Sequence, residues 1–344
     1  MRWAVVLAGG VGSRFWPVST GERPKQVLPL AGDQPLVRQA VERLAGLVSP
    51  ERTLLVTGRA LGPALRAALP MLPAANVLEE PFAASTAPAL AWATAHAAQQ
   101  DAAASVLSLH ADWFVADDAA FRATAAAALE LVEREDVIAT VGARPTRPET
   151  GYGYIVPGGT LGSARRIARF KEKPTRAEAE RLCADGALWN TGLFAWTARR
   201  FRAEVELHTP ELRDALPHLD RGDPVAFFKA VRPVSIDVGV YERTERGAVV
   251  VGDFGWDDVG SWAALLRVHR RDEAGNVAVG PAHLVGTSSS VVWSEDGTTV
   301  VYGLDNVVVV RARGISLVTR TDLAPDLKKL LDQLPPDLVG ERGA

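Results

Sequence analysis

Residues 3–30 read WAVVLAGGVGSRFWPVSTGERPKQVLPL, and the fold turns on that string. The apolar run Ala4 to Ala8 has the length and composition of a buried strand. It ends in Gly9-Gly10-Val11-Gly12-Ser13-Arg14, where small residues let backbone N–H groups approach an anion closely, so the stretch predicts a phosphate cradle. A dinucleotide fingerprint requires a third glycine opening directly into a helix, but here Phe15 stands at that position and Pro17 follows. A Walker loop is excluded as well, because no glycine precedes Lys-Ser or Lys-Thr. What remains is a long loop with Arg14 near one end and Lys25, after Pro24, near the other. Such a loop can wrap a triphosphate along its length.

Working outward, Val37, Ala40, Val41 and Leu44 have helical spacing and predict a helix over 35–47, followed by a buried strand at 52–57. A helix at 61–69 and a strand at 76–78 come next. The stretch 79–98 is a loop entering an Ala-rich helix near Thr86, with Ser85 and Thr86 as N-cap residues. A strand at 104–109 stops at His110-Ala111-Asp112, and a helix at 118–133 and a strand at 137–141 complete the alternation. That order predicts an α/β domain whose mostly parallel sheet is covered by helices on both faces. Ligands of such sheets sit beyond the carboxyl ends of the strands, so the glycine loop and Asp112 should share one edge. The region 144–262 is less regular and holds the strings TGYGYIV, RFKEKP, LWNTGLFAW, SIDVGVYE and GDFGWDDVGSW. From 275 to about 318 short β-type runs alternate with Gly, Ser and Asn turns, and a helix is expected at 324–334. The organisation expected is therefore a catalytic domain at 1–270, a small β segment with a terminal helix at 275–335, and a loose tail at 336–344.

Composition narrows the partners. A chain of 344 residues, 47% hydrophobic and 23% charged, describes a globular protein large enough for one big domain and a smaller one. The net charge of −3 and the lack of a basic block argue against nucleic acid. No apolar run reaches the roughly 18–20 residues that a membrane span requires, and the first run is too short for a signal peptide. The single cysteine, Cys183, forms no intrachain disulfide and fits a reducing cytoplasm. The six histidines are scattered, so zinc is not expected. A nucleoside triphosphate calls for a hard divalent cation, hence for carboxylates such as Asp112 and Asp258. Arg14 and Lys25 are the cations able to stabilise charge at a phosphoryl centre.

The run LAGGVGSRFWPVS followed by RPKQ resembles the opening motif of the sugar-1-phosphate nucleotidyltransferases, and its Trp16-Pro17 and Pro24-Lys25-Gln26 spelling is similar to the mannose-1-phosphate guanylyltransferase branch. The resemblance covers about residues 3–330 through at least six motifs in order. It implies a Rossmann-like domain with a mixed, mostly parallel sheet and a small C-terminal segment of left-handed β-helix type. It implies Mg2+ held by Asp112 and Asp258, with the neighbouring Asp257 a capping or supporting group, and catalysis assisted by Arg14 and Lys25. Nucleotide binding falls to Leu7, Gly9, Gly10, Gly12, Ser13, Glu80, Ser85 and Thr86, Glu80 having the acceptors to read the donor edge of guanine. Sugar-phosphate binding falls to Gly153, Tyr154, Glu172, Lys173, Asn190 and Asp237. The implied reaction is transfer of GMP from GTP to mannose 1-phosphate, giving GDP-mannose and pyrophosphate. In-line attack by an anionic phosphate needs alignment and charge neutralisation more than a nucleophilic side chain.

The sequence also departs from the pattern. His110 stands where the family has Pro, and Trp113 where it has His, so any role of that histidine is lost. Ala84-Ser85 replaces an Arg-Asn pair in EPFAASTAPA, so either those side chains are dispensable for guanine or another nucleotide is used. Two alternatives therefore stand beside the first reading: the same transfer with another nucleotide or hexose 1-phosphate, and a non-catalytic sensor of nucleotide sugars. Retention of Arg14, Lys25, Asp112 and Asp258 together speaks against the sensor. The resemblance suggests a homodimer, and the chain stops where an appended isomerase domain would begin, so one activity is expected.

Overall fold

The computed structural model describes residues 1–339. Its first half follows the alternation expected: Arg2–Leu7 (β1), Leu36–Glu42 (α1), Thr53–Gly58 (β2), Gly62–Ala68 (α2), Val77–Glu80 (β3), Thr86–Gln100 (α3), Ser105–His110 (β4), the two-residue Phe114–Val115 (β5), Asp118–Arg134 (α4) and Ile138–Ala143 (β6). There follow Tyr154–Leu161 (β7), Ala164–Lys171 (β8), Arg176–Ala184 (α5), Leu188–Thr197 (β9), Ala198–His208 (α6), Leu216–Asp220 (α7), Pro224–Ala230 (α8), Gly247–Gly252 (β10), Trp256–Asp257 (β11) and Leu265–Val268 (α9).

Nine strands form one sheet in the order β3-β2-β1-β4-β9-β6-β10-β8-β7. The neighbours of β1 are parallel to it, as the βαβ pattern requires. The sheet is mixed because β9 runs antiparallel between β4 and β6, and β8 antiparallel beside β10. Strand β1 displays the period-two logic: Trp3, Val5 and Leu7 enter a core with α3, α6, α7 and α8, while Ala4, Val6 and Ala8 enter a second core under α1, α2 and α4. Both faces are thereby covered, and the polar strand ends gather at one edge.

A third core has a different composition. Phe15, Trp16, Val18, Leu28 and Leu30 of the opening loop pack with Val259, Trp262 and Leu265 and with residues from the C-terminal segment. Trp262 links them, standing 5.1 Å from the Phe15 ring and 5.5 Å from that of Trp293. The C-terminal segment comprises Val277–Val279 (β12), Ala282–Val285 (β13), Val291–Ser294 (β14), Thr299–Tyr302 (β15), Val307–Ala312 (β16) and Ile315–Arg320 (β17). Strands β12, β14 and β16 form one parallel ladder and β13 and β15 another. Ala282 pairs with Thr299 and Val291 with Val308, the same 17-position step each time, so the chain coils back over itself. The antiparallel β16–β17 hairpin ends the coil; Arg313 and Gly314 in its turn both have positive φ, as a two-residue hairpin turn of this hand demands.

The end of the chain differs from expectation. In place of one helix over 324–334, a short turn at Ala324–Asp326 leads into Leu327–Leu331 (α10). Residues 336–339, expected to be a loose tail, form the helical turn Pro336–Val339 (α11), and Val339 is buried against the third core. The apolar Val339 supplies the reason: it finds a place beside Leu331 that four polar residues would not. The remainder of the expected tail, 340–344, lies outside the described residues.

Candidate active site

The glycine loop is held from its inner side. Gln26 Nε2 donates to the carbonyls of Gly9 and Gly10 at 2.8 and 3.0 Å, the Lys25 amide to Val11 at 3.0 Å, and Ser19 Oγ to Gly12 at 2.7 Å. Four successive carbonyls are thus occupied, whereas the amides of Gly9 to Arg14 have no backbone acceptor among the described residues. That polarity makes the loop an anion-binding concavity. Gly12 is required twice over: its φ is +75°, and a Cβ there would lie 2.3 Å from Lys25 Cβ. A cavity of about 320 Å3 opens over the loop, lined by Gly12, Ser13, Ser19, Thr20 and Lys328 among others. Arg14 is exposed beside it.

Lys25 is 5% exposed, not a solvated surface lysine. Its Nζ donates to Asp112 Oδ2 at 2.9 Å and to the Asp258 carbonyl at 3.0 Å, joining segments far apart in the chain. Asp112 arrives from the end of β4, whose His110 is in register with Leu7 at the end of β1. Asp258 follows β11, in a strained turn where the β-branched Val259 has φ +45°. Asp257 caps that turn by accepting from the Val259 amide at 2.9 Å and is clamped by both ends of the Arg267 guanidinium. It is a support for the loop, as anticipated.

Burial works against the Asp112 anion, but the charge of Lys25 and its hydrogen bond outweigh it and hold the carboxyl below its ordinary range. Burial pushes Asp258 upward, opposed by a hydrogen bond from Tyr152 and by Lys25. Both side chains keep about a third of their surface open to the cleft, 31% and 34%. No three His, Cys, Asp or Glu side chains gather as a metal cage among the described residues. Two part-exposed carboxylates whose segments are joined by Lys25 have the oxygen chemistry to suit a hard divalent cation that takes the rest of its shell from phosphate and water.

The residues that the resemblance implies for the sugar phosphate form a second cluster, with one exception. Asn190 Nδ2 donates to Asp237 Oδ1 at 2.9 Å, and its Oδ1 accepts from Thr140 Oγ1 at 2.8 Å. Gly153 lies against them: a Cβ there would meet Glu172 Oε2 at 2.7 Å and Asn190 Cβ at 3.3 Å. Glu172 and Lys173 do not point to opposite faces as strand neighbours would. β8 ends at Lys171, Lys173 turns into positive φ (+44°), and its Nζ donates to Glu172 Oε1 at 2.7 Å. Burial, with the charge of Glu172, raises Asp237 to about 7.

The exception is Tyr154. It is fully buried, and its hydroxyl donates to the Glu149 carbonyl at 2.9 Å, inside a small core with Ala179 and Leu182. Two residues earlier, Tyr152 is the tyrosine that reaches the site, donating to Asp258 Oδ1 at 2.5 Å. TGYGYIV offers both tyrosines at a spacing of two, so composition alone could not choose between them. Burial and the Asp258 charge raise the Tyr152 hydroxyl, so it keeps its proton.

On the nucleotide side, Leu7 is a core residue whose carbonyl accepts from the Ala111 amide at 2.8 Å. Glu80 ends β3, and burial raises its carboxyl to about 7. Ser85 occupies the N-cap position of α3 but makes no side-chain cap bond; its φ is +69°, a region that Ser seldom adopts. Thr86 is not a cap either: its Oγ1 accepts from the Ile236 amide at 2.8 Å, tying the start of α3 to the segment that carries Asp237. Ala84 faces the first core, and Trp113 is buried against His110 and Trp256, so core packing fills the places of the family's Arg and His.

A carbonyl-bound glycine loop at the carboxyl edge of a doubly covered sheet, with a buried lysine joining the Asp112 carboxylate to the Asp258 backbone, defines an α/β enzyme that works on the phosphates of a nucleotide. The model of the Nucleotidyl transferase family matches residues 3–275, and the chain belongs to that family. It is 35% identical to the alginate biosynthesis protein AlgA of Pseudomonas aeruginosa, over 96% of this chain and 71% of that one. It is 34% identical to a mannose-1-phosphate guanylyltransferase of Escherichia coli, over 97% and 74%. A crystal structure titled mannose-1-phosphate geranyltransferase, from Thermus thermophilus, superposes with a TM-score of 0.89 at 37% identity, covering 96% of this chain and 98% of that one. No helix among the described residues is long and apolar enough to cross a membrane.

Proposed function

We propose that the chain transfers GMP from GTP to mannose 1-phosphate, releasing pyrophosphate and forming GDP-mannose. The observation that carries this reading is Lys25, buried under the glycine loop and bonded to both the Asp112 carboxylate and the Asp258 backbone. The guanylyltransferase names of relatives at about 35% identity supply the substrates. The free amides of Gly9 to Arg14 receive the β- and γ-phosphates, and Arg14 flanks them. Asp112 and Asp258 would hold Mg2+, which neutralises phosphate charge when bound. Lys25 then turns from Asp112 toward the α-phosphate, where negative charge builds as the sugar phosphate attacks. Gly153 makes room for Glu172, which with Asn190 and Asp237 receives the hydroxyls of the hexose, and Lys173 pairs with its phosphate. Tyr154 holds this wall from behind.

Glu80 reads the N1–H and N2–H of guanine, with Ser85 and Thr86 shaping the entrance to the base site. Guanine is favoured because a lone acceptor pair in a half-buried setting matches a donor edge. We infer further that residues 1–270 are the catalytic unit, that 275–335 form a short left-handed β-helix clasping the opening loop, and that the protein is a cytoplasmic homodimer. The test is pyrophosphate release from purified protein with Mg2+, GTP and mannose 1-phosphate. Release is expected to vanish with chelator and in Asp112→Ala and Asp258→Ala; undiminished release in either variant would refute the metal assignment.

A further inference from the structure

We propose that Tyr152 is the positioning residue of Asp258, fixing which carboxylate oxygen faces the metal; this rests on the metal reading above. The Tyr152 hydroxyl is 2.5 Å from Asp258 Oδ1, in the short range of an O–H donor on a carboxylate. The ring cannot swing away, because Trp189 and Trp256 both meet it edge-on at 5.2 Å. The hydroxyl has a second partner, Arg147 Nη2, which donates to it at 3.3 Å while its guanidinium lies over the Trp189 face at 5.0 Å. A hydroxyl that accepts from a guanidinium directs its one proton the other way, toward Asp258.

On the opposite side, a Cβ at Gly260 would stand 2.5 Å from Asp258 Oδ2. That oxygen therefore has room only because residue 260 is glycine. Oδ1 is committed to Tyr152, with Arg267 at 3.8 Å, which leaves Oδ2 as the oxygen for a metal. Lys25 holds the backbone carbonyl of the same residue. The carboxylate is thus fixed in rotation by tyrosine and in position by lysine, which is the preorganisation a two-carboxylate metal site needs. Tyr154, two residues on and the first residue of β7, has no part in this and serves as the internal control.

The experiment measures Mn2+ affinity by water-proton relaxation enhancement, at saturating methylene analogue of GTP that cannot transfer its nucleotide. Steady-state KM for mannose 1-phosphate and Tm are measured alongside. Tyr152→Phe is expected to weaken Mn2+ roughly tenfold, the effect of losing one hydrogen bond to a charged group, with KM for the sugar phosphate unchanged. Tyr154→Phe should lower Tm and leave Mn2+ affinity at the wild-type value. In an Asp258→Asn background Tyr152→Phe should add nothing further, since its target is already altered. Mn2+ affinity of Tyr152→Phe within twofold of wild type, while Asp258→Ala loses binding, overturns the inference. If Asp258→Ala also binds Mn2+ normally, the metal assignment falls, and this inference with it.

Discussion

Alanine placed at each of the three loop glycines separates the demands of fold from those of chemistry. Gly9 lacks a positive φ, and a Cβ there meets nothing within 4 Å; Gly10 has φ +78° and equally open space; Gly12 has φ +75° and Lys25 Cβ at 2.3 Å. Gly9→Ala should therefore cost almost no stability, and the stiffer unfolded chain can even offset a few tenths of a kcal/mol. Gly10→Ala forces an L-residue into the left-handed region at about 1–2 kcal/mol. Gly12→Ala adds to that same cost an overlap with a buried side chain, worth about 1–3 kcal/mol more. Tm read by circular dichroism should fall in the order Gly9, Gly10, Gly12, by on the order of 2 °C for each kcal/mol. Activity should follow another order: Gly9→Ala projects a methyl into the space assigned to phosphate and should raise KM for GTP while Tm holds. A Gly12→Ala protein as stable as Gly10→Ala would refute the seat of Lys25 beneath Gly12.

Removing the lysine itself, Lys25→Met, takes away the cation whose charge lowers both Asp112 and Asp258; kcat should fall by roughly 100- to 1,000-fold, as for loss of a charge-stabilising donor, and a fall under tenfold would contradict the role. Trp293→Ala, far from the phosphate loop in sequence, should lower stability by about 3–5 kcal/mol and also kcat, because Trp293 reaches the loop through Trp262 and Phe15; normal kcat in the folded variant would contradict that link. Glu80 titrates near 7 when folded and near 4.5 when unfolded, so the folded chain holds its proton more tightly. Its stabilising effect is complete below pH 4.5 and is lost as pH rises through 7, so Glu80→Gln should flatten the Tm decline between pH 5 and 8. With Glu80 reading guanine as the anion, as proposed, KM for GTP should rise below pH 7 in wild type and lose that pH dependence in Glu80→Gln.

The parts legible in the sequence were those where local pattern and tertiary demand agree. The unbroken apolar run from Ala4 to Ala8 specified a buried strand, and the strand-helix order brought Asp112 to the glycine loop's edge. Tyr152 and Tyr154 were not separable, because a spacing of two in a strand puts both on one face, and nothing local shows that the strand begins only at Tyr154, with Tyr152 in the bend before it. The turn of Lys173 back onto Glu172 was not legible, because nothing local announces that Lys173 takes positive φ. Ser85 read as a cap because Ser usually is one, whereas the chain there is bent to another purpose. The third core was hidden for a different reason: Trp16, Trp262 and Trp293 meet only after the coil has folded back, and no periodicity links them.

The most direct test of the central claim is a competition in one vessel: mannose 1-phosphate and Mg2+ with equal concentrations of GTP, ATP, UTP and dTTP, the nucleotide sugars being resolved by mass spectrometry. GDP-mannose should dominate the products. Dominance of a uridine or deoxythymidine diphosphate sugar would contradict the assignment of Glu80 to guanine, and the absence of any nucleotide sugar would contradict the transfer reaction itself.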